Sequence, residues 1–213
     1  MINISPFGPK LGIVKIDDDT ISTLIDLTDN ILSDKNKVSN GSNLAGQLEQ
    51  EIIIPIELLK ENNLYDFFTD NLKEYLSQII GKEPLENNVD VNITDMWVNS
   101  QYENEYNPMH WHEGCTLSAT MYLKIPEYTP RNIKGKKGET DGNIIFVNNN
   151  HNSPFESLEN GIYGFQPTAG DLFIWPSRLI HGVYPFKGDG ERRSIAFNGL
   201  HKFKKEAKND SNR

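Results

Sequence analysis

The stretch NPMHWHEGC, from Asn107 to Cys115, sets two imidazoles two positions apart in a chain with only five histidines. In extended backbone, residues i and i+2 leave a strand from the same face, so His110 and His112 can offer two nitrogens to one metal ion. Pro108 suits an extended or turning approach, and Gly114 lets the chain bend directly after the pair. Strict alternation sends Glu113 to the other face, and the bend keeps it in play as the alternative to His112. A pair of this kind on its own is more often two ordinary hydrogen-bonded histidines, so the metal reading needs support from the rest of the chain.

That support comes later, in PTAGDLFIWPSRLIHGVYPF, where two turn signals bracket an apolar strand and a third histidine, His181, opens the next one. Eleven residues on, RRSIAFN alternates again. Arg192, Ser194, Ala196 and Asn198 share one face, and Ile195 and Phe197 share the other. A guanidinium and a hydroxyl side by side can clamp a carboxylate. Arg193 competes with Arg192 for that role, and parity favours Arg192 because Ile195 and Phe197 look like sheet-packing residues. Asn99 and Gln101 face either a substrate or solvent. Trp97, Trp111, Phe173 and Trp175 can wall a dry site or simply fill the core. His151 and His201 read as loop and exposed residues, Asp171 as a turn residue, and Cys115 as a small packing residue that oxidation can reach.

The elements that must position these groups differ along the chain. Asp19 to Ser33 has apolar residues at three-and-four spacing, which predicts an amphipathic helix, and Leu58 to Ile80 predicts one or two more with a break near Asn62 and Asn63. Between them, Asp34 to Ser42 reads as a mobile polar loop. From about Val89, six short β-branched and aromatic stretches follow: VDVNITDMWVN, TLSATMYLKIP, GNIIFVN, DLFIWP, LIHGVYPF and RRSIAFNGL. The expected fold is α+β, mainly β: a jelly roll (double-stranded β-helix) with N-terminal helices packed on its outer face. One domain over 1–213 is expected, with an elaboration at 1–90, a catalytic core at 91–203 and a polar tail at 204–213.

A formal charge of −9 argues against non-specific binding to nucleic acid or an anionic membrane. The densest basic stretch, Lys134 to Lys137, sits among glycines and reads as a solvated loop. A lone cysteine excludes an internal disulfide and suits a reducing, cytoplasmic setting. No apolar run is long enough to suggest a membrane span.

Taken in order, HxH with LSATMYL, then GDLFIWPSRLIHGVYP and ERRSIAFN, resembles the 2-oxoglutarate-dependent Fe(II) oxygenases, particularly a group common in marine phages and bacteria. The match covers Trp97 to Phe203 well, and SPFGPKLGIVKID more weakly. The resemblance implies Fe(II) held by His110, His112 and His181, with Glu113 as the alternative to His112. It further implies 2-oxoglutarate bound by Arg192, Ser194 and Tyr122, and O2 as the other co-substrate. The implied reaction hydroxylates a small-molecule or peptide substrate while 2-oxoglutarate is decarboxylated to succinate; a phage-encoded enzyme would act in the host cytoplasm. Such enzymes commonly carry two histidines and one carboxylate, and here His112 stands where an aspartate is usual. Two other readings remain at this level: a cupin-like metal enzyme with a three-histidine zinc site, and an inactive jelly-roll binding protein.

Overall fold

The computed structural model describes residues 2–4, 8–81, 89–130, 140–148 and 161–204. Eleven strands among these residues form two antiparallel sheets that enclose the site, and three helices cover the back of the larger one.

The chain opens with β1 (Ile2–Ile4) and β2 (Leu11–Lys15) and turns into α1 (Asp18–Ser33). Asp17 caps α1 by accepting from Thr20 N at 2.9 Å, and Asp18 and Asp19 place negative charge in its first turn, where the helix dipole favours it. The polar run after α1 does not hang free. Asn40 N donates to Glu51 O at 2.7 Å and Ile53 N to Val38 O at 2.9 Å, so the loop is tied along β3 (Gln50–Ile53). Unmet backbone donors and acceptors on an edge strand recruit whatever chain lies beside them.

The break expected near Asn62 and Asn63 separates α2 (Ile56–Glu61) from α3 (Tyr65–Ile80). Asn63 adopts φ 57°, a left-handed conformation that asparagine tolerates better than most residues. β4 (Val89–Gln101), β5 (Asn107–His110), β6 (Leu117–Lys124) and β7 (Ile144–Val147) follow. β8 (Ile162–Phe165), β9 (Asp171–Pro176), β10 (Ile180–Val183) and β11 (Arg192–Phe203) complete the fold.

The larger sheet runs β1-β2-β9-β6-β11-β4-β3 and the smaller β5-β10-β7-β8. Alternation along the central strands divides the large sheet cleanly. Met96, Val98, Met121, Ile174, Ile195 and Phe197 pack outward against α1 and α3, where Leu24, Phe68 and Leu72 are fully buried. Truncating Leu24 to alanine would cost about 3 kcal/mol. The inner face carries a smaller apolar cluster that includes Tyr122, Phe146, Phe173 and Trp175, and beside it the polar groups of the site.

All six expected strands form. β1, β2, β3 and β8 went unread because each is only three to five residues long. β11 continues to Phe203, so His201 is half-buried and bonded to Thr116 Oγ1 at 2.8 Å rather than exposed near a tail. His151 and the basic stretch Lys134 to Lys137 lie outside the described residues.

Candidate active site

His110 ends β5 and pairs directly with His181 on β10 in the smaller sheet. Gly182 permits that pairing: a Cβ there would stand 3.0 Å from Asn107 O on β5. His112 reaches the same point differently from the simple strand alternation expected. The strand stops at His110, and His112 N donates to Ser177 O at 2.9 Å as the chain leaves the small sheet. Gly114, at φ +75°, then turns it toward β6 in the large sheet.

Each imidazole is anchored through Nδ1. His110 Nδ1 lies 2.7 Å from Pro108 O and His181 Nδ1 2.9 Å from Leu179 O. A carbonyl only accepts, so both nitrogens carry the proton and both Nε2 atoms carry a lone pair. For His112 the tautomer is set one step further out. Asp95 Oδ1 accepts from Asn198 Nδ2 at 2.7 Å, which turns Asn198 Oδ1 toward His112 Nδ1 at 2.6 Å; Ser118 Oγ supports the same nitrogen at 3.0 Å. The ligand atoms of the three histidines all lie within 4.8 Å of one another, with His110 Nε2 and His112 Nε2 3.1 Å apart. Facing lone pairs at that separation repel unless a cation lies between them. Burial lowers the pKa of all three histidines, His181 well below its ordinary value, so each is held in the neutral form that a metal requires.

Glu113 stands apart from this cluster, at the surface, ion-paired with Arg178 at 3.2 Å.

From the histidines a cavity of about 40 Å³ runs inward to Arg192, bounded also by Trp97, Asn99, Tyr122, Trp175 and Ser194. Arg192 is 3 % exposed. Its Nη1 donates to Gln101 Oε1 at 2.6 Å, its Nη2 to Gly142 O at 3.3 Å, and its guanidinium sits 4.5 Å from the Tyr122 ring centroid. Among the described residues no carboxylate pairs with it, and its Nε has no partner. Arg193, one residue on, points out of the other face into Glu191 and Asp29. Burial raises the pKa of the Tyr122 phenol, with the Arg192 charge opposing it. A second opening, a groove of about 520 Å³, reaches His110 and His112 from outside past Asn40, Asn43, Trp111 and Asp95.

The residues therefore fit the groups that the family resemblance implies. Three neutral imidazoles converge on one point, and a buried cation without an anion among the described residues lies in the cavity that starts there. Trp97 and Trp175 do wall this cavity, whereas Trp111 is 51 % exposed at the groove. Sequence reasoning missed Asp95 and Ser118. It put Asn198 on the correct face without a role, because a hydrogen bond across strands has no signature in local sequence.

Residues 95–198 match a family model described as "Putative 2OG-Fe(II) oxygenase". A prolyl-4-hydroxylase from Pseudomonas putida shares the fold at 15 % identity, with 92 % of each chain covered and a TM-score of 0.56. The viral collagen prolyl hydroxylase of Paramecium Bursaria Chlorella virus-1 does so at 16 % identity, over 89 % of this chain and 94 % of its own, with a TM-score of 0.52. SnoK, a non-heme alpha ketoglutarate dependent carbocyclase from nogalamycin biosynthesis, aligns at 10 % identity over 94 % of this chain and 84 % of its own, with a TM-score of 0.60. No curated protein matches the sequence. Two antiparallel sheets with a histidine cluster between them define a jelly-roll fold with a candidate metal centre, and residues 95–198, which carry that centre, match the 2-oxoglutarate- and Fe(II)-dependent oxygenase family.

Proposed function

We propose that His110, His112 and His181 hold Fe(II), that Arg192 and Ser194 receive the distal carboxylate of 2-oxoglutarate over the Tyr122 ring, and that the protein hydroxylates a small-molecule or peptide substrate entering by the outer groove. The observation that carries this reading is the cavity joining three convergent Nε2 atoms to a buried guanidinium with no carboxylate partner among the described residues. A buried, unpaired cation is costly unless an anion joins it, and a hydrolytic zinc centre on the same histidines would have no use for one. When bound, iron and 2-oxoglutarate supply with O2 the oxidising power for hydroxylation, and the co-substrate leaves as succinate and carbon dioxide.

The chain's own part is positioning and exclusion. The Nδ1 anchors fix the imidazole planes, and the Asp95–Asn198 pair holds His112 in the required tautomer. Gln101 steadies the Arg192 fork, leaving Nε and the Ser194 hydroxyl for a carboxylate. Phe146, Phe173 and Trp175 keep water from the inner side. With three neutral ligands, charge balance at the metal falls to the dianionic co-substrate. Among the described residues no helix is long and apolar enough to cross a membrane, and the free Cys115 suits a cytoplasmic enzyme.

The test is an anaerobic titration of the Fe(II)-loaded protein with 2-oxoglutarate, reading the weak visible charge-transfer band of a chelated keto acid. The expected band saturates in the wild type and weakens sharply in Arg192→Ala. Bound iron without a band would overturn the oxygenase reading.

A further inference from the structure

Seven buried side-chain atoms among the described residues lack a hydrogen-bond partner, and four of them belong to residues that line the one small cavity: Arg192 Nε, Trp175 Nε1, Asn99 Oδ1 and Asn107 Oδ1. Buried polar atoms are normally satisfied, so four on a single cavity mark a place built to receive a polar molecule. Arg192 belongs to the reading above. Trp175 does not, and its N–H is a donor and nothing else.

Trp175 is 2 % exposed and sits on β9, opposite Ser118 on β6, with its side chain on the inner face. Its ring meets His181 edge-on, 4.7 Å between centroids, and packs at 5.1 Å against Phe146. These contacts fix the indole beside His181, and its strand partner Ser118 lies four residues along β6 from Tyr122, the ring over which the Arg192 guanidinium sits. A phenylalanine would keep aromatic contact with His181 and Phe146, though with less volume. What tryptophan adds is one N–H, in a site where leaving it unbonded is costly.

We propose that Trp175 is a co-substrate-binding residue whose indole N–H donates to an oxygen at the keto-acid end of 2-oxoglutarate, so that Arg192 and Trp175 hold the two ends of one dianion. The inference rests on the oxygenase reading and adds to it a donor that neither the histidines nor the arginine clamp provides. Asn99 can join the same ligand, because turning its amide over presents Nδ2–H to the cavity in place of the unpartnered Oδ1.

The chain has three tryptophans, which makes the donor directly visible. In protein labelled with 15N-tryptophan and loaded with diamagnetic Zn(II), the spectrum contains three indole N–H signals, assigned by losing one each in Trp97→Phe, Trp111→Phe and Trp175→Phe. On addition of 2-oxoglutarate, the Trp175 signal moves downfield and exchanges more slowly with solvent, while the Trp111 signal at the outer groove stays in place. Trp175→Phe weakens 2-oxoglutarate binding by about tenfold, the usual effect of losing one bond to a charged acceptor, and leaves metal stoichiometry unchanged. A Trp175 signal that stays put while 2-oxoglutarate binds overturns this inference and leaves the oxygenase reading intact. Failure of the wild type to bind 2-oxoglutarate overturns both. The wild-type measurement stands whether or not the substituted proteins fold.

Discussion

Arg192 and Arg193 are adjacent in the chain and almost equally buried, at 3 % and 5 % exposure, yet they stand on opposite faces of the seven-stranded sheet. Arg193 turns outward and is saturated: Glu191 accepts from it twice at 2.7 Å, and Asp29 and Thr28 on α1 accept from Nη1. Arg192 turns inward and, among the described residues, is held by neutral oxygens and has no partner for its Nε. The same pattern holds around them. The outer face carries the main apolar cluster under helices, with its buried charge paired, whereas the inner face gathers unmatched polar groups, including Glu51, which stands opposite Asn99 with an Oε1 that has no partner among the described residues. One face of this sheet maximises stability and the other gives some up to keep binding groups unsatisfied.

Exchanging the roles of the two arginines breaks the comparison most severely. Arg192→Ala is expected to lower 2-oxoglutarate affinity by about 100-fold, roughly 2.7 kcal/mol, with little change in melting temperature. Arg193→Ala is expected to do the reverse, losing about 2 kcal/mol of stability because Glu191 is left partly buried without its partner, with co-substrate affinity unchanged. Isothermal titration and chemical denaturation on both proteins decide it, and equal stability losses would remove the distinction between the faces.

Glu51 sharpens the comparison through pH. Burial, then the nearby charge of Glu105, raises its pKa to about 7. Its neutral form is favoured on folding, so its contribution is complete below pH 4.5 and is lost as pH rises through 7. Glu51→Gln removes that dependence. Relative to wild type, the variant should gain about 2 kcal/mol between pH 5 and pH 8, and a constant difference across that range would show the carboxyl to be solvated.

The smallest expected effect concerns the support of His112. Asn198→Ala leaves all three ligands in place but frees the His112 ring to rotate and change tautomer, so metal affinity should fall about tenfold. A metal titration showing unchanged affinity would mean that Ser118 alone orients the ring.

Much of this site was readable before any coordinates. Alternation in RRSIAFN placed Arg192, Ser194 and Asn198 together and sent Ile195 and Phe197 to the packed face, because strand periodicity is a local property that any extended backbone imposes. The helix spacing in Asp19 to Ser33 gave α1 to within one residue for the same reason. Strand alternation was less reliable at His112, where β5 has already ended and a bend, tied by Ser177 and turned by Gly114, carries the ring back to the cluster. Nor did the local pattern single out Asp95, which orients Asn198 toward His112 from a strand paired with β11 but far from it in sequence.

Residue types and periodicity were enough to specify which side chains are capable of the chemistry and which face of each strand they occupy, since both follow from covalent structure and backbone geometry. Convergence was not contained in them. That His181 meets His110 across two sheet partners, that His112 Nε2 arrives within reach, and that Arg192 lacks the carboxylates its neighbour has are properties of pairing register between distant segments. Register is settled by the packing of the whole sheet rather than by any one strand.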